Sequence, residues 1–143
     1  MFLYGWRSKL KDHLEWAEGR RQFPYEDTVG KTSIGVGRNL DDRGLRDDEI
    51  DLMLDNDIHE ATEQASTLPY YRSLNGPRRM VVSDMIFNMG LSRFLSFIKT
   101  NRALSAHDYD AAADEMVDSK WYRQTGRRAA LLVLIMRTGE YIV

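Results

Sequence analysis

Apolar residues recur at near-helical spacing across residues 5–18, where Trp6, Leu10, Leu14 and Ala17 share one face. Gly19 follows as a natural C-terminal stop. The period then changes. Over residues 23–38 aromatics, Thr, Ser, Ile and Val alternate with glycines and Pro24, which predicts a small antiparallel sheet. The run Asp27-Thr28-Val29-Gly30 has the residues a β-turn favours. Helical spacing returns from Asp47 to about Ser66, with Ile50, Met53, Leu54, Ile58, Ala61 and Ala65 on one face. Asp47 and Asp48 suit its first turn, beside the positive end of the helix dipole.

The segment TLPYYRSLNGP breaks the pattern, and Pro77 fits the first turn of the next helix. That helix, RRMVVSDMIFNMG, is apolar on nearly every side, which predicts a central buried helix ended by Gly90. SRFLSFIKTNRAL reads as one short helix. Asp108 to Ser119 reads as another, with Tyr109, Ala112, Ala113, Met116 and Val117 facing inward. GRRAALLVLIMRTG is a last helix, expected almost wholly buried and stopped by Gly139. A small β element followed by many helices predicts an α+β, mainly helical fold. One domain, residues 1–143, is expected. Its first lobe, with the first helix and the hairpin, would end near residue 60, and the helical lobe would follow. A cleft at their junction is the expected ligand site.

Composition narrows the chemistry. The chain has 143 residues, 43% apolar and 29% charged, and no cysteine. Disulfides, thiol catalysis and thiolate metal sites are therefore excluded. His13, His59 and His107 lie far apart, no HExxH spacing occurs, and no metal site or cofactor is expected. All three are expected to face solvent without a role. The longest apolar run, Ala129 to Met136, is far short of the ~20 residues of a membrane span. No signal peptide is legible in MFLYGWRSKLKDH, and no stable membrane association is expected. The net charge is only −2, but ten acids stand against two arginines between Asp41 and Glu63, and five bases against no acid between Lys120 and Arg137. Such a dipolar surface steers polyanions, or is simply a set of solvated helix faces. No nucleic-acid motif accompanies the bases, so nucleic acid is not an expected partner.

Two carboxylates stand out. Glu18 sits at a helix C-terminus, where the dipole disfavours an anion and local rules would place Lys or Arg. A break of local rule without structural gain points to function. A carboxylate so placed holds its proton longer, as a general acid requires. Asp27, in a turn with backbone N–H donors nearby, is expected to stay ionised. Two carboxylates with environments that push them apart are the pattern of glycoside hydrolysis. Taken singly, a Glu-Gly helix end and a D-T-x-G turn are each common structural features.

The composite is sharper. Glu18, Gly19, Arg21, Tyr25, Asp27, Thr28, Gly30, Ser33, Ile34, Gly35 and Gly37 form E-G-x-R-x-x-x-Y-x-D-T-x-G-x-x-[ST]-I-G-x-G. This resembles the phage-type lysozymes, the T-even phage lysozyme family of glycoside hydrolase family 24. RRMVVSDMIFNMG is similar to that family's long central helix, and SKWYRQTGRRA and MRTGEY to its C-terminal signatures. The resemblance covers nearly the whole chain and implies a two-lobe lysozyme-like fold. It implies a muramidase that cleaves the β-1,4 bond between N-acetylmuramic acid and N-acetylglucosamine in peptidoglycan, with inversion, leading to cell lysis.

By the same resemblance Glu18 is the general acid, Asp27 polarises the attacking water, and the Ser33 hydroxyl helps hold that water. Arg128 matches an arginine that pairs with the catalytic Glu, and its charge would oppose the helix-end effect on Glu18, so the sequence gives the net effect no sign. Gly37, Phe87, Asn88, Gln124 and Thr125 fall where the family contacts substrate. Read on periodicity alone, Phe87 and Met85 are core, and Gln124 and Thr125 form a helix-connecting turn. Trp121 and Tyr122 are expected to pack structurally. Asp84, an acid in an apolar helix, needs a partner, and an arginine is the obvious one. Two departures matter: Ser33 replaces the commoner Thr and loses its stiff χ1, and Arg38 replaces a His. The alternative from another class is a catalytically silent lysozyme-fold module that binds peptidoglycan or protein. A monomer is expected. Without a legible export signal, the implied biology is an endolysin that waits in the host cytoplasm for a membrane-permeabilising partner such as a holin. A tail-associated role is a further context for the same chemistry.

Overall fold

A computed structural model describes residues 5–142. The elements follow in the order α1 (Gly5–Glu18), β1 (Arg21–Glu26), β2 (Thr32–Gly35), β3 (Arg38–Asn39), α2 (Leu40–Arg43) and α3 (Asp47–Ser66). A 3₁₀ turn (Tyr71–Ser73) leads to α4 (Gly76–Met89), α5 (Leu91–Leu95) and α6 (Ile98–Ser105). The chain closes with α7 (Tyr109–Val117), α8 (Lys120–Thr125) and α9 (Arg127–Thr138). This is the α+β, mainly helical class that the hydrophobic pattern predicts. Contacts divide the chain into two compact units, residues 1–52 and 53–143.

The first unit holds α1, the sheet, α2 and the start of α3. Its three strands are antiparallel in the order β1-β2-β3, with Tyr25 opposite Ser33 and Ser33 opposite Asn39. Ser33 is therefore on the central strand and is 3% exposed. The third strand and α2 are too short to leave a periodic signal. Asn39 starts α2 by accepting the Asp42 N–H on its side-chain oxygen, an N-cap that satisfies an orphan donor.

The second unit carries the hydrophobic core. Met85 and Val82 of α4, Phe94 of α5, Leu104 of α6, Met116 of α7 and Met136 of α9 are all fully buried. Helix α9 packs on α7 and α4, and α6 packs on α7. Asp108 and Ser119 cap α7 and α8 by accepting the Ala111 and Tyr122 N–H groups. Arg78 closes the far end of α9: its Nε donates to the Met136 carbonyl at 2.8 Å and its Nη2 to the Arg137 carbonyl at 3.2 Å. The same guanidinium lies 3.9 Å from the Tyr109 ring centroid. Gly139 is required beside it. Its φ is +69°, and a Cβ there would stand 2.7 Å from Arg78 Nη1.

Four expectations are corrected. SRFLSFIKTNRAL is two helices, because Asn101 Nδ2 donates to the Phe94 and Phe97 carbonyls at 3.0 Å each and so satisfies the backbone where the chain turns. Helix α4 is not apolar to its neighbours all round: Val81, Val82, Met85 and Ile86 are buried, whereas Met80 and Phe87 are exposed. Helix α9 likewise buries one stripe and leaves Leu131 and Leu134 outside. The α3 stripe is buried only at Ala61 and Ala65, where small side chains allow close approach. Leu54 and Ile58 instead line an open groove of 450 Å³ together with Tyr71, Met80, Phe87 and Arg128.

Candidate active site

The acidic candidates belong to the first unit. Helix α1 ends at Glu18 because Gly19, with φ +79°, turns the chain while its N–H still reaches the Glu15 carbonyl at 2.9 Å. The Glu18 side chain then lies along Gly37, where φ is +68°. A Cβ on Gly37 would stand 2.9 Å from Glu18 Oε2 and 3.0 Å from its carboxyl carbon. Glycine is needed there twice over, for its backbone angle and for the space the carboxyl group takes. Gly37 is thus a neighbour of the acid, a role that the sequence reading did not give it.

Asp27 is held by its own turn. Its Oδ1 accepts the Val29 N–H at 3.0 Å and the Lys31 N–H at 2.9 Å. The main chain closes the same turn, with the Asp27 N–H donating to the Lys31 carbonyl at 2.8 Å. The second oxygen, Oδ2, accepts from the buried Ser33 hydroxyl at 3.4 Å. The Lys31 N–H holds the carboxyl below the ordinary carboxylate range. Partial burial opposes this, while the Val29 N–H, the Ser33 hydroxyl and the Lys31 charge reinforce it. Asp27 is consequently an anion at neutral pH, as its turn context predicts.

Lys31 and Asp41 went unread in the sequence. Asp41 Oδ2 accepts the Thr32 N–H at 2.8 Å, which pins the start of β2 beside Ser33. Lys31 Nζ pairs with Asp42 at 3.3 Å. The acid-rich run 41–49 looks like a solvated helix start, and the Asn39 cap just before it is the local signal there.

The remaining candidates belong to the second unit. Asn88 Oδ1 accepts the Trp121 indole N–H at 3.3 Å. Trp121 is buried and stacks edge-on to Phe97, with ring centroids 6.4 Å apart, so its packing role is structural as expected. Tyr122 packs against the same core. Phe87 is 44% exposed and lines the α3–α4 groove, so the core reading that periodicity gave it is wrong. Met85 is core. Gln124 and Thr125 form the last turn of α8 rather than a connecting loop, with Gln124 exposed.

Arg128, which the resemblance pairs with Glu18, is engaged by Asp84: Nη2 lies 2.8 Å and Nε 3.1 Å from Asp84 Oδ1. The arginine expected for Asp84 is this one. The acid is partly exposed rather than buried. His13, His59 and His107 are all exposed.

A turn-fixed carboxylate anion beside a buried hydroxyl, in a hairpin entered directly from a glutamate-ended helix, is glycosidase-like equipment. The chain belongs to the phage lysozyme family: the model of that family, described as phage lysozyme, matches residues 15–138. Membership supports glycoside hydrolysis as its chemistry. Two similar proteins of Dictyostelium discoideum are described as probable T4-type lysozymes 1 and 2. They are 26% and 27% identical over 92% of this chain and 95% of their own lengths. The pre-baseplate central spike protein Gp5 of Enterobacteria phage T4 is 29% identical over 92% of this chain, which spans only 28% of that protein.

Proposed function

We propose that the chain is a muramidase that hydrolyses the β-1,4 bond between N-acetylmuramic acid and N-acetylglucosamine in peptidoglycan, with inversion at the anomeric carbon. Glu18 gives its proton to the glycosidic oxygen as the C–O bond breaks. Asp27 accepts a proton from a water that attacks the opposite face of the sugar, and Ser33 keeps Asp27 Oδ2 oriented toward it. Atoms balance: the water's hydroxyl goes to the anomeric carbon and its proton to Asp27, the leaving sugar keeps the proton from Glu18, and exchange with solvent then deprotonates Asp27 and reprotonates Glu18. The observation that carries the reading is the Asp27 carboxylate, with one oxygen locked by two backbone donors and the other set against the Ser33 hydroxyl.

The biological setting follows from the substrate. Peptidoglycan lies outside the cytoplasmic membrane, so a chain of this activity serves as a lytic enzyme released from a host cytoplasm with help from a holin-like partner. A spike-borne lysozyme domain is the other setting that the relatives suggest. The chain acts on its substrate as a monomer.

The experiment compares the wild-type chain with Glu18→Gln on purified Gram-negative peptidoglycan, reading new reducing ends by mass spectrometry. Reducing ends from the first and none from the second, at equal melting temperature, support the muramidase. Co-sedimentation of both chains with the glycan, without reducing ends from either, would replace it with a silent binding module.

A further inference from the structure

Arg38 leaves the hairpin immediately after Gly37, with its side chain turned to the start of α3. Its Nη1 donates to Glu49 Oε1 at 2.7 Å and to the Gly44 carbonyl at 3.2 Å. The same Glu49 oxygen accepts the Arg46 N–H at 2.9 Å. One carboxylate oxygen thus ties β3 to the loop before α3 and to the first turn of α3. The pair is partly withdrawn from water, with side chains 24% and 34% exposed. It is not a solvated surface contact of the kind that contributes nothing measurable.

The hydrogen bond from Arg38 holds the Glu49 carboxyl below the usual range, aided by the Arg46 N–H. Arg38 in turn is held charged by Glu49, with Asp48 adding to it. On the other side of Arg38 stands Gly37, where the Glu18 carboxyl group takes the space that a Cβ would fill. The peptide joining the two residues is a rigid plane, so the anchor on Arg38 constrains where Gly37 stands.

We infer that Arg38, through its ion pair with Glu49 and its bond to the Gly44 carbonyl, is a positioning residue that fixes the Gly37 backbone against the Glu18 carboxyl group. The inference rests on the reading of Glu18 as general acid. All of the residues involved belong to the first compact unit, and Arg38 itself need not touch substrate. Arginine suits the task because a single guanidinium nitrogen carries two N–H donors, which serve the Glu49 carboxylate and the Gly44 carbonyl together.

The test is turnover of purified peptidoglycan by the full chain and its Arg38→Gln, Glu49→Gln, Arg38→Lys and Arg38→His variants, each assayed well below its melting temperature. Arg38→Gln is expected to lose about tenfold in kcat, as small misplacements near reacting groups do, with KM nearly unchanged. Glu49→Gln keeps the side-chain shape and provides the same comparison should Arg38→Gln fold poorly. Arg38→Lys keeps the charge and a nitrogen with several donors but on a differently shaped side chain, and is expected to recover part of the loss.

Arg38→His gives the readout that a merely structural role would not move. Its kcat relative to wild type is expected to fall further as pH rises through about 6.5, where imidazole loses its charge, in addition to any limb that the general acid gives both chains. Wild-type kcat in both Arg38→Gln and Glu49→Gln, or an Arg38→His profile superimposable on wild type, would overturn the inference. The two levels separate cleanly. An inactive Glu18→Gln beside a fully active Arg38→Gln removes this inference alone, whereas an active Glu18→Gln removes the general-acid reading beneath it.

Discussion

Ser33 and Asp27 meet across the β1–β2 hairpin, with the Ser33 hydroxyl 3.4 Å from Asp27 Oδ2. The contact is long for an O–H···O bond, so the hydroxyl sets a direction more than it contributes binding energy. Ser33→Ala is expected to lower kcat by about tenfold, within the range of a lost positioning contact, and to lower stability by no more than about 0.5 kcal/mol, the low end for a hydrogen bond. Ser33→Thr, which restores a stiff χ1, is expected to match or exceed wild-type turnover. Steady-state kinetics on purified peptidoglycan check both. A Ser33→Thr chain that folds but is inactive would remove Ser33 from water positioning.

Glu18→Gln is expected to lower kcat by at least ~10²-fold, the usual contribution of a positioned acid, with an unchanged melting temperature. The amide keeps the shape that fits beside Gly37 but has no proton of comparable acidity to give. Product analysis by NMR on the wild-type chain is expected to show α-configured reducing ends at first turnover. A β product would assign Asp27 to a covalent step instead.

The turn around Asp27 makes stability pH-dependent with a definite sign. Its carboxyl is held below the ordinary value of 3.8, chiefly by the Lys31 N–H. A depressed acid contributes stability that is fully present above its unfolded value and is lost as pH falls through the folded one. The melting-temperature gap between the wild-type chain and Asp27→Asn is therefore expected to be constant from neutral pH down to the unfolded value, and to close below it. Thermal melts across the acid range measure this. A gap that widened in acid would contradict the hydrogen bonds to Val29 and Lys31.

Two glycines separate activity from stability. Gly37→Ala forces a Cβ into the space that the Glu18 carboxyl group occupies and is expected to cut turnover sharply while costing about 1 kcal/mol of stability. Gly139→Ala puts a Cβ against the Arg78 guanidinium that closes α9, and is expected to cost at least about 1 kcal/mol. Its kcat, measured well below the melting temperature, is expected to be that of wild type. Denaturant titration and kinetics on the same preparations distinguish the two outcomes.

Much was legible in the linear chain because its causes are local. The ends of α1 and α9 are written in Gly19 and Gly139, and the start of α7 in Asp108, since a cap needs only its neighbours in sequence. Asp27 was readable as an anion for the same reason: its partners Val29, Lys31 and Ser33 lie within six residues of it. Tertiary packing alone decided which helix faces are covered. Periodicity marks an apolar stripe but not how wide a strip the neighbours bury, which is why Phe87, Leu131 and Leu134 came out exposed. It also chose partners distant in sequence. Arg128 meets Asp84 across 44 residues, Trp121 meets Asn88 across 33, and Arg38 meets Glu49 across 11. A charge records that a partner is needed, but only the folded backbone decides which opposite charge comes within reach.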